Sequence, residues 1–269
     1  MRKTPWEKEW IILQKNEEKY GKKRKDGPTS LLLMRLERII PKKLSGALDF
    51  AFLKAFRLIF EKGTWLIEKT YNRKKKETDF KVNTYASRLN ESGRNVRVFR
   101  RKAKASKLFN IFISLLEGIL MGVLGFAIPD IPVFVSMVLK SVYEVALSYG
   151  YSYDTDNEKV FVLKIIEVAM CDEEEFVEKD RELNAAIDHI ASHGDIIGAI
   201  NITKEDQIKG TSRSLVKEMI YTKFIQQFMI VGLFGGLFDP AYISRISTYA
   251  ELKYRRRFLG KKLNEEKKY

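Results

Sequence analysis

"EGILMGVLGFAIPDIPVF" runs from Glu117 to Phe134 and is the most apolar stretch of a 269-residue chain whose formal net charge is +14. Pro129 and Pro132 interrupt it, because proline breaks a helix interior and disfavours helical geometry in the residue before it. The apolar piece upstream of the prolines is about 16 Å long as a helix. That is too short to cross about 30 Å of hydrocarbon. The pattern predicts a helix that ends near Ile128, a tight turn, and a second helix from about Pro132 to Tyr149.

A similar arrangement recurs in "KFIQQFMIVGLFGGLFDPAYISRISTYAELKYRRRFLG", from Lys223 to Gly260. In both segments a glycine-rich helix meets a break of Asp and Pro, and an amphipathic helix with tyrosines follows. The sequence therefore predicts two helical hairpins that form a weak internal repeat. The tips of these hairpins are Pro129, Asp130, Pro132, Asp239 and Pro240. The glycines predicted to form flat packing faces are Gly118, Gly122, Gly125, Gly232, Gly235 and Gly236.

Glycines at three- and four-residue steps let helix backbones approach closely. Two interpretations of the hairpins follow. They pack on each other as a buried core, or they dip into lipid as re-entrant or interfacial elements, where irregular backbone needs protein or water around it. The residue pattern leaves both open.

Apolar residues at three- and four-residue steps predict helices along most of the remaining chain, and strand signals are scarce. Thr4 and Glu7 form a capping box, with Pro5 as the first helical residue. The predicted helices are Pro5–Tyr20, Thr29–Ile40, Leu44–Tyr71, Glu158–Ala169 and Cys171–His193, with Arg73–Asp79 read as a separator. We therefore predict an all-α multi-helix bundle, with the two glycine-rich hairpins packed together. It forms a single domain over residues 1–269, with a basic N-terminal part (1–107) and a hairpin-containing core (108–269).

The charge is unevenly distributed. The net charge is +18 over residues 1–110, −11 over residues 111–210 and +7 over residues 211–269. Basic segments directly flank the two hairpins, and polybasic segments beside apolar ones are typical of attraction to anionic lipid. The residues predicted to contact lipid are Arg97, Arg100, Arg101, Lys102, Lys104, Arg255, Arg256 and Arg257.

Two other function classes stay open. Tyr71, Tyr85 and Phe99 lie among the N-terminal charges and could stack on bases, which suggests nucleic-acid binding. An enzyme could use a carboxylate cluster or a histidine pair. The cluster would contain Glu117, Asp130, Glu144 and Asp239, and the pair would be His189 and His193, whose spacing suits zinc.

Other signals limit the enzyme classes. The chain has no P-loop and no G-x-S-x-G motif. The single cysteine, Cys171, excludes an internal disulfide and indicates a reducing compartment. The apolar patch near the start is shorter than the core of a signal peptide, so we expect a cytoplasmic protein. We predict no catalytic residue, no resident metal and no cofactor.

The chain resembles the EcsC family. The resemblance rests on the glycine-rich helix running into "IPDIP", on "SVYEVALSYGYSYDTDNEKVFVLKIIEVA" (Ser141–Ala169) and on "GLFGGLFDPAYISRISTYAELKYRRRFL" (Gly232–Leu259), with "PWEKEW" near the start. These are packing-type motifs that cover most of the chain. The family is named for a companion of a bacterial ABC transporter. The resemblance therefore implies a bacterial, transporter- or membrane-associated accessory protein and supplies no catalytic residues. Together with the basic flanks, it leads us to expect a protein that is peripheral at the cytoplasmic face of the membrane.

Overall fold

The computed structural model describes residues 3–25, 42–103, 130–193, 198, 202–229 and 240–266. Within these ranges all regular elements are helical, which confirms the all-α prediction. The α-helices are α1 (Pro5–Lys25), α2 (Lys42–Leu58), α3 (Thr64–Glu68), α4 (Arg73–Leu89), α5 (Gly93–Ala103), α6 (Asp130–Ser148), α7 (Asp156–Met170), α8 (Glu173–His193), α9 (Lys204–Met229) and α10 (Pro240–Glu266). A π-helical turn, Ile59–Gly63, joins α2 to α3.

Several predicted helix boundaries are reproduced. The Thr4 hydroxyl accepts the backbone N–H of Glu7 at 3.2 Å, and the Glu7 carboxylate accepts the backbone N–H of Thr4 at 2.8 Å. This reciprocal pair is the capping box, which satisfies two N–H groups that have no partner within the helix. Helix α1 continues to Lys25, one turn beyond the predicted end.

Helix α6 begins within the predicted hairpin tip. Its first residue is Asp130, and Pro132 is buried in its first turn, where a missing N–H breaks no helical hydrogen bond. The helix ends in a Schellman motif. The Gly150 N–H donates to Leu147 O and the Tyr151 N–H to Ala146 O, each at 3.0 Å. Gly150 has φ +79°, a left-handed conformation that glycine adopts without steric cost.

The core lies around α6, α7 and α10. Helix α10 contacts α1, α5, α6, α7 and α8, and α7 packs against α9. Helix α7 was predicted to be amphipathic, but every residue from Val160 to Met170 is buried. Neighbouring helices therefore cover α7 on all sides, and its charged residues Lys164 and Glu167 are paired inside the bundle.

By length and composition, one helix in the described part of the chain could cross a membrane. Its 18-residue window, Ile131–Ser148 in α6, is entirely buried inside the bundle. The core helix of a soluble protein meets the same criterion, so the window is weak support for a membrane span. In this fold α6 packs against α2, α4, α5 and α10.

One boundary prediction was wrong. Arg73–Asp79 is not a separator but forms the first two turns of α4. Basic residues in a first turn oppose the helix dipole. Here three carboxylates around the Arg73 guanidinium offset that cost, Glu68 at 2.7 Å, Glu77 at 2.8 Å and Asp154 at 2.9 Å.

Several predictions lie outside the described residues. They are the helix Thr29–Ile40, the tip residues Pro129 and Asp239, and all six glycines proposed to pack the hairpins. The packing of the two hairpins therefore stays a prediction. The two tip prolines that are described lie in the first turns of their helices, Pro132 in α6 and Pro240 at the start of α10.

Candidate functional site

Helices α4 and α5 form a short antiparallel pair. Asn72 caps α4, because its side-chain oxygen accepts the backbone N–H of Lys75 at 2.8 Å. The Ser92 hydroxyl accepts the backbone N–H of Asn95 at 3.3 Å at the start of α5. Between the helices, the Asn95 side-chain amide donates to Ala86 O at 3.4 Å. At the other end, the Lys102 ammonium lies 3.3 Å from the Asp79 carboxylate.

Aromatic packing fixes α5 to the core. Val96, Phe99 and Ala103 are buried along its inner face. The Phe99 ring centroid lies 4.8 Å from that of Phe258 on α10 and 6.2 Å from that of Trp6 on α1. Burial of three side chains on an 11-residue helix favours one orientation, in which the opposite face is exposed to solvent.

Helix α4 is fixed to the core through α6 and the turn that follows it. The Lys76 ammonium lies 3.0 Å from the carboxylate of Glu144 on α6. Phe80 packs directly on Gly150, where a Cβ atom would overlap its ring. These contacts orient the remaining surface of α4 away from the bundle.

The outer faces of these two helices carry a dense set of cations. Residues 73–103 are described without a gap and contain three carboxylate residues, of which Glu91 is exposed and Glu77 and Asp79 are partly exposed and paired with Arg73 and Lys102. The exposed basic residues are Lys74, Lys75, Lys81, Arg88, Arg94, Arg97, Arg101 and Lys102, and we call this set the α4–α5 basic surface. The segment as a whole has a net charge of +8.

An apolar stripe accompanies this surface on α4. Val82, Tyr85 and Leu89 are 60%, 66% and 70% exposed. Their three- and four-residue spacing places them on one helix face. Lys74, Lys81 and Arg88 follow at seven-residue steps, and at 3.6 residues per turn all six side chains lie within about 120° of the helix circumference.

The structure divides the predicted lipid contacts on α5. Arg97, Arg101 and Lys102 are exposed and belong to the α4–α5 basic surface. Arg100 is partly buried, with its guanidinium 3.8 Å from the carboxylate of Glu9 on α1. Lys104 lies outside the described residues.

The three predicted contacts on α10 are paired with carboxylates of other helices, and they are buried or partly buried. Arg255 is 2% exposed and its guanidinium lies 2.7 Å from the Glu9 carboxylate. Arg257 pairs with Glu158 at 2.7 Å. Arg256 lies 3.1 Å from Glu17 and 3.2 Å from Asp188. The attraction of these carboxylates offsets the free-energy cost of removing the arginines from water.

Sequence reasoning missed the α4 half of the surface. Lys74, Lys75, Lys81 and Arg88 were not among the predicted contacts, because their segment was read partly as a linker. The signal that could have identified them is the seven-residue repeat of Lys74, Lys81 and Arg88 beside an apolar stripe of helical spacing.

A cavity of about 350 Å³ lies between α4, α6 and the end of α5. Tyr71, Phe80, Asn83 and Ser148 line it, together with Lys75, Lys76, Lys102, Asp79 and Glu144. Two of its three lysines are paired with its two carboxylates, Lys76 with Glu144 and Lys102 with Asp79. These two pairs neutralise each other's charges, and Lys75 is the third lysine of the lining.

Four carboxylates were predicted to form a cluster, and the structure describes the side chain of one of them, Glu144. Its burial would raise its pKa, but the ammonium groups of Lys76 and Lys140 outweigh that effect and hold the pKa below its usual value. A general acid or base at neutral pH needs a pKa near 7. The arrangement therefore fits a structural ion pair, and Glu117 and Asp239 lie outside the described residues.

The remaining chemical candidates are Cys171 and the histidine pair. Burial raises the pKa of the Cys171 thiol to about 12. His189 is exposed on α8, while the side chain of His193 lies outside the described part. Among the described residues, no group of three or more His, Cys, Asp or Glu side chains could hold a metal ion.

Comparison with known proteins identifies the family of this chain. Neither a curated protein nor a solved structure matches the chain. The family model described as "EcsC protein family" matches residues 8–259, which is nearly the whole sequence. The chain therefore belongs to the EcsC protein family.

Proposed function

We propose that this protein is a peripheral membrane protein that attaches to anionic lipid through the α4–α5 basic surface. The observation that carries the proposal is the set of eight exposed cations on two adjacent helices, in a segment whose net charge is +8. A basic residue near an anionic leaflet contributes on the order of 1 kcal/mol. Several such residues together would hold the protein at the membrane, and this attraction would weaken as the salt concentration rises.

The backbone of α4 adds to the attraction. Lys74 and Lys75 lie in its first turn, where the helix dipole carries partial positive charge. Surface charge at this position is unfavourable for the helix itself. The same charge attracts an anionic partner, so binding would offset part of this unfavourable interaction with the helix dipole.

A role beside a transporter extends this proposal. The family resemblance implies an accessory protein of a bacterial ABC transporter. Attachment at the cytoplasmic leaflet would place the protein near the cytoplasmic parts of such a transporter. We propose this partner class on the family relationship alone, and the lipid surface does not depend on it.

The structure gives less support to nucleic-acid binding. Of the three aromatic residues that could stack on bases, Tyr71 and Phe99 are buried and only Tyr85 is exposed. Proteins that bind single strands in a basic groove stack the bases on aromatic side chains, whose faces must be accessible. Nucleic-acid binding by the same cations remains an outcome that the experiment below can reveal.

The test is co-sedimentation with vesicles of phosphatidylcholine, with and without phosphatidylglycerol, at several salt concentrations. The variant Arg94→Gln/Arg97→Gln/Arg101→Gln removes three exposed charges of α5. We expect binding to anionic vesicles to weaken by at least about tenfold, with a shallower dependence on salt.

The matched control is Lys15→Gln/Lys19→Gln/Lys23→Gln, which removes the same charge from an exposed side of α1. We expect this control to bind like the wild type. Equal weakening in both variants would show that only net charge matters, and absence of wild-type binding to anionic vesicles would reject the proposal. A gel shift of RNA or DNA near physiological salt without vesicle binding would favour nucleic acid instead.

A further inference from the structure

We infer that the apolar stripe of α4, Val82, Tyr85 and Leu89, enters the boundary between lipid headgroups and acyl chains when the protein binds a membrane. This inference rests on the proposed function, since the α4–α5 basic surface would bring α4 to the lipid. It adds a specific mode of attachment, in which one helix lies in the interface while the rest of the bundle stays in water.

The exposure of the stripe is the first observation. Six large apolar side chains are exposed in the described part of the chain, and three of them are these consecutive members of one helix face. The other three, Phe50, Trp65 and Val177, lie on different helices. Isolated exposed apolar residues are ordinary on a protein surface, whereas a clustered row indicates a binding surface.

The neighbouring charges indicate which partner the stripe suits. Lys81 and Arg88 directly precede Val82 and Leu89, so each apolar residue at these positions has a cation beside it. An interfacial helix combines an apolar face with Lys and Arg side chains that reach the headgroups. Tyrosine suits the same depth, because its ring is apolar and its hydroxyl can stay hydrated.

The shape and size of the stripe argue against a protein partner. A stable protein interface buries about 800 Å² on each side, far more than three side chains on a convex helix provide. A lipid interface has no such minimum area, since each inserted side chain adds to attachment independently. Attraction between the neighbouring cations and an anionic leaflet supplies the rest of the free energy of binding.

The way α4 is anchored supports insertion without unfolding. Its opposite face is fixed by the Lys76–Glu144 ion pair and by Phe80 against Gly150. The apolar side chains therefore need no conformational change to reach the lipid, and little ordering entropy opposes their insertion.

A single-cysteine label gives a direct test. The native Cys171 is 2% exposed and its pKa is raised to about 12, so it should remain unlabelled. Leu89→Cys would carry an environment-sensitive thiol-reactive fluorophore on the stripe, and Val177→Cys would carry it at a comparably exposed position on α8. The membranes are the phosphatidylcholine and phosphatidylglycerol vesicles used above.

We expect a blue shift of the fluorophore at position 89 on addition of anionic vesicles, and no shift at position 177. Co-sedimentation of the same labelled samples shows whether the protein has bound. Bound protein without a shift at position 89 overturns the inference and leaves the proposed function standing. Failure of the labelled protein and the wild type to bind overturns both.

A substitution test gives a second readout. In Val82→Ser/Tyr85→Ser/Leu89→Ser we expect at least about tenfold weaker vesicle binding at high salt, where screening removes the electrostatic attraction. The control Phe50→Ser/Trp65→Ser/Val177→Ser changes the three other exposed apolar side chains and should bind like the wild type. Unchanged binding of the stripe variant at high salt would contradict insertion.

Discussion

Glu144 and Arg255 show how single charges are used inside this protein. Glu144 is buried between Lys76 and Lys140, and Arg255 is buried against Glu9. Removing one member of a buried pair leaves the other charge desolvated without compensation, which is strongly destabilising. These residues therefore belong to the fold rather than to a binding surface.

The pairing of Glu144 predicts a pH dependence of stability. Its pKa in the folded protein is below the unfolded value of 4.5, so its stabilising contribution is complete above that value and is lost as the pH falls through the folded pKa. We expect Glu144→Gln to lower the free energy of unfolding by about 2 kcal/mol or more at neutral pH.

Urea unfolding of the wild type and of Glu144→Gln, from about pH 6 to about pH 3, checks this expectation. The difference in free energy of unfolding between the two proteins should shrink as the pH falls, because the wild-type carboxylate becomes protonated. A difference that stays constant over this range would show that ionised Glu144 does not stabilise the fold.

At this scale the sequence predicts charge but not pairing. Arg97 and Arg255 both lie in basic runs beside apolar segments, and both were predicted to contact lipid. Arg97 is exposed, whereas Arg255 meets a carboxylate 246 positions earlier in the chain. A contact of that separation depends on how α1 packs against α10, which residue patterns do not specify.

Helix α4 is the element in which local sequence rules and the fold disagree. Four consecutive basic residues begin the helix, against the preference of the helix dipole. The pattern therefore indicated a linker. Three carboxylates around Arg73 and the packing of Phe80 override that local preference. By contrast, the start of α1 was predictable, since its capping box depends on residues three positions apart.

The contact between α4 and the turn after α6 can be tested at Gly150. A side chain there would adopt a strained left-handed conformation, and its Cβ would overlap the ring of Phe80. We expect Gly150→Ala to lower the free energy of unfolding by about 2 kcal/mol or more. Chemical denaturation measures this change.

The control is Gly260→Ala in α10, where an added Cβ meets no atom within 4 Å. Alanine in a helix interior should stabilise the protein by about 0.5–1 kcal/mol. Opposite signs at the two glycines would support the described packing of α4. A neutral Gly150→Ala would show that Phe80 does not constrain this turn.

At the scale of the whole molecule, charge is sorted by the fold. Carboxylates of the acidic central segment, including Glu158, Asp180 and Asp188, pair with the basic residues of α10. This pairing leaves the α4–α5 basic surface as a concentration of exposed cations. The uneven charge of the sequence thus has two structural outcomes. The acidic central segment is neutralised by α10 inside the fold, and the basic residues of α4 and α5 remain exposed.

The helical class and the start of α6 close to Pro132 were predictable, because they depend on local periodicity and proline geometry. The surface was only half predictable. Exposure of α4 and α5 follows from which faces the core buries, and that depends on long-range packing through Phe99, Phe258 and Trp6.

We expect α4 and α5 to be the part of the protein that contacts the membrane. The most direct measurement is amide hydrogen exchange of the wild type with and without anionic vesicles, read by mass spectrometry of peptides. We expect added protection in peptides from residues 73–103, and no change in α7 or α8. Protection of α10 instead, or no protection in residues 73–103 of vesicle-bound protein, would contradict the claim.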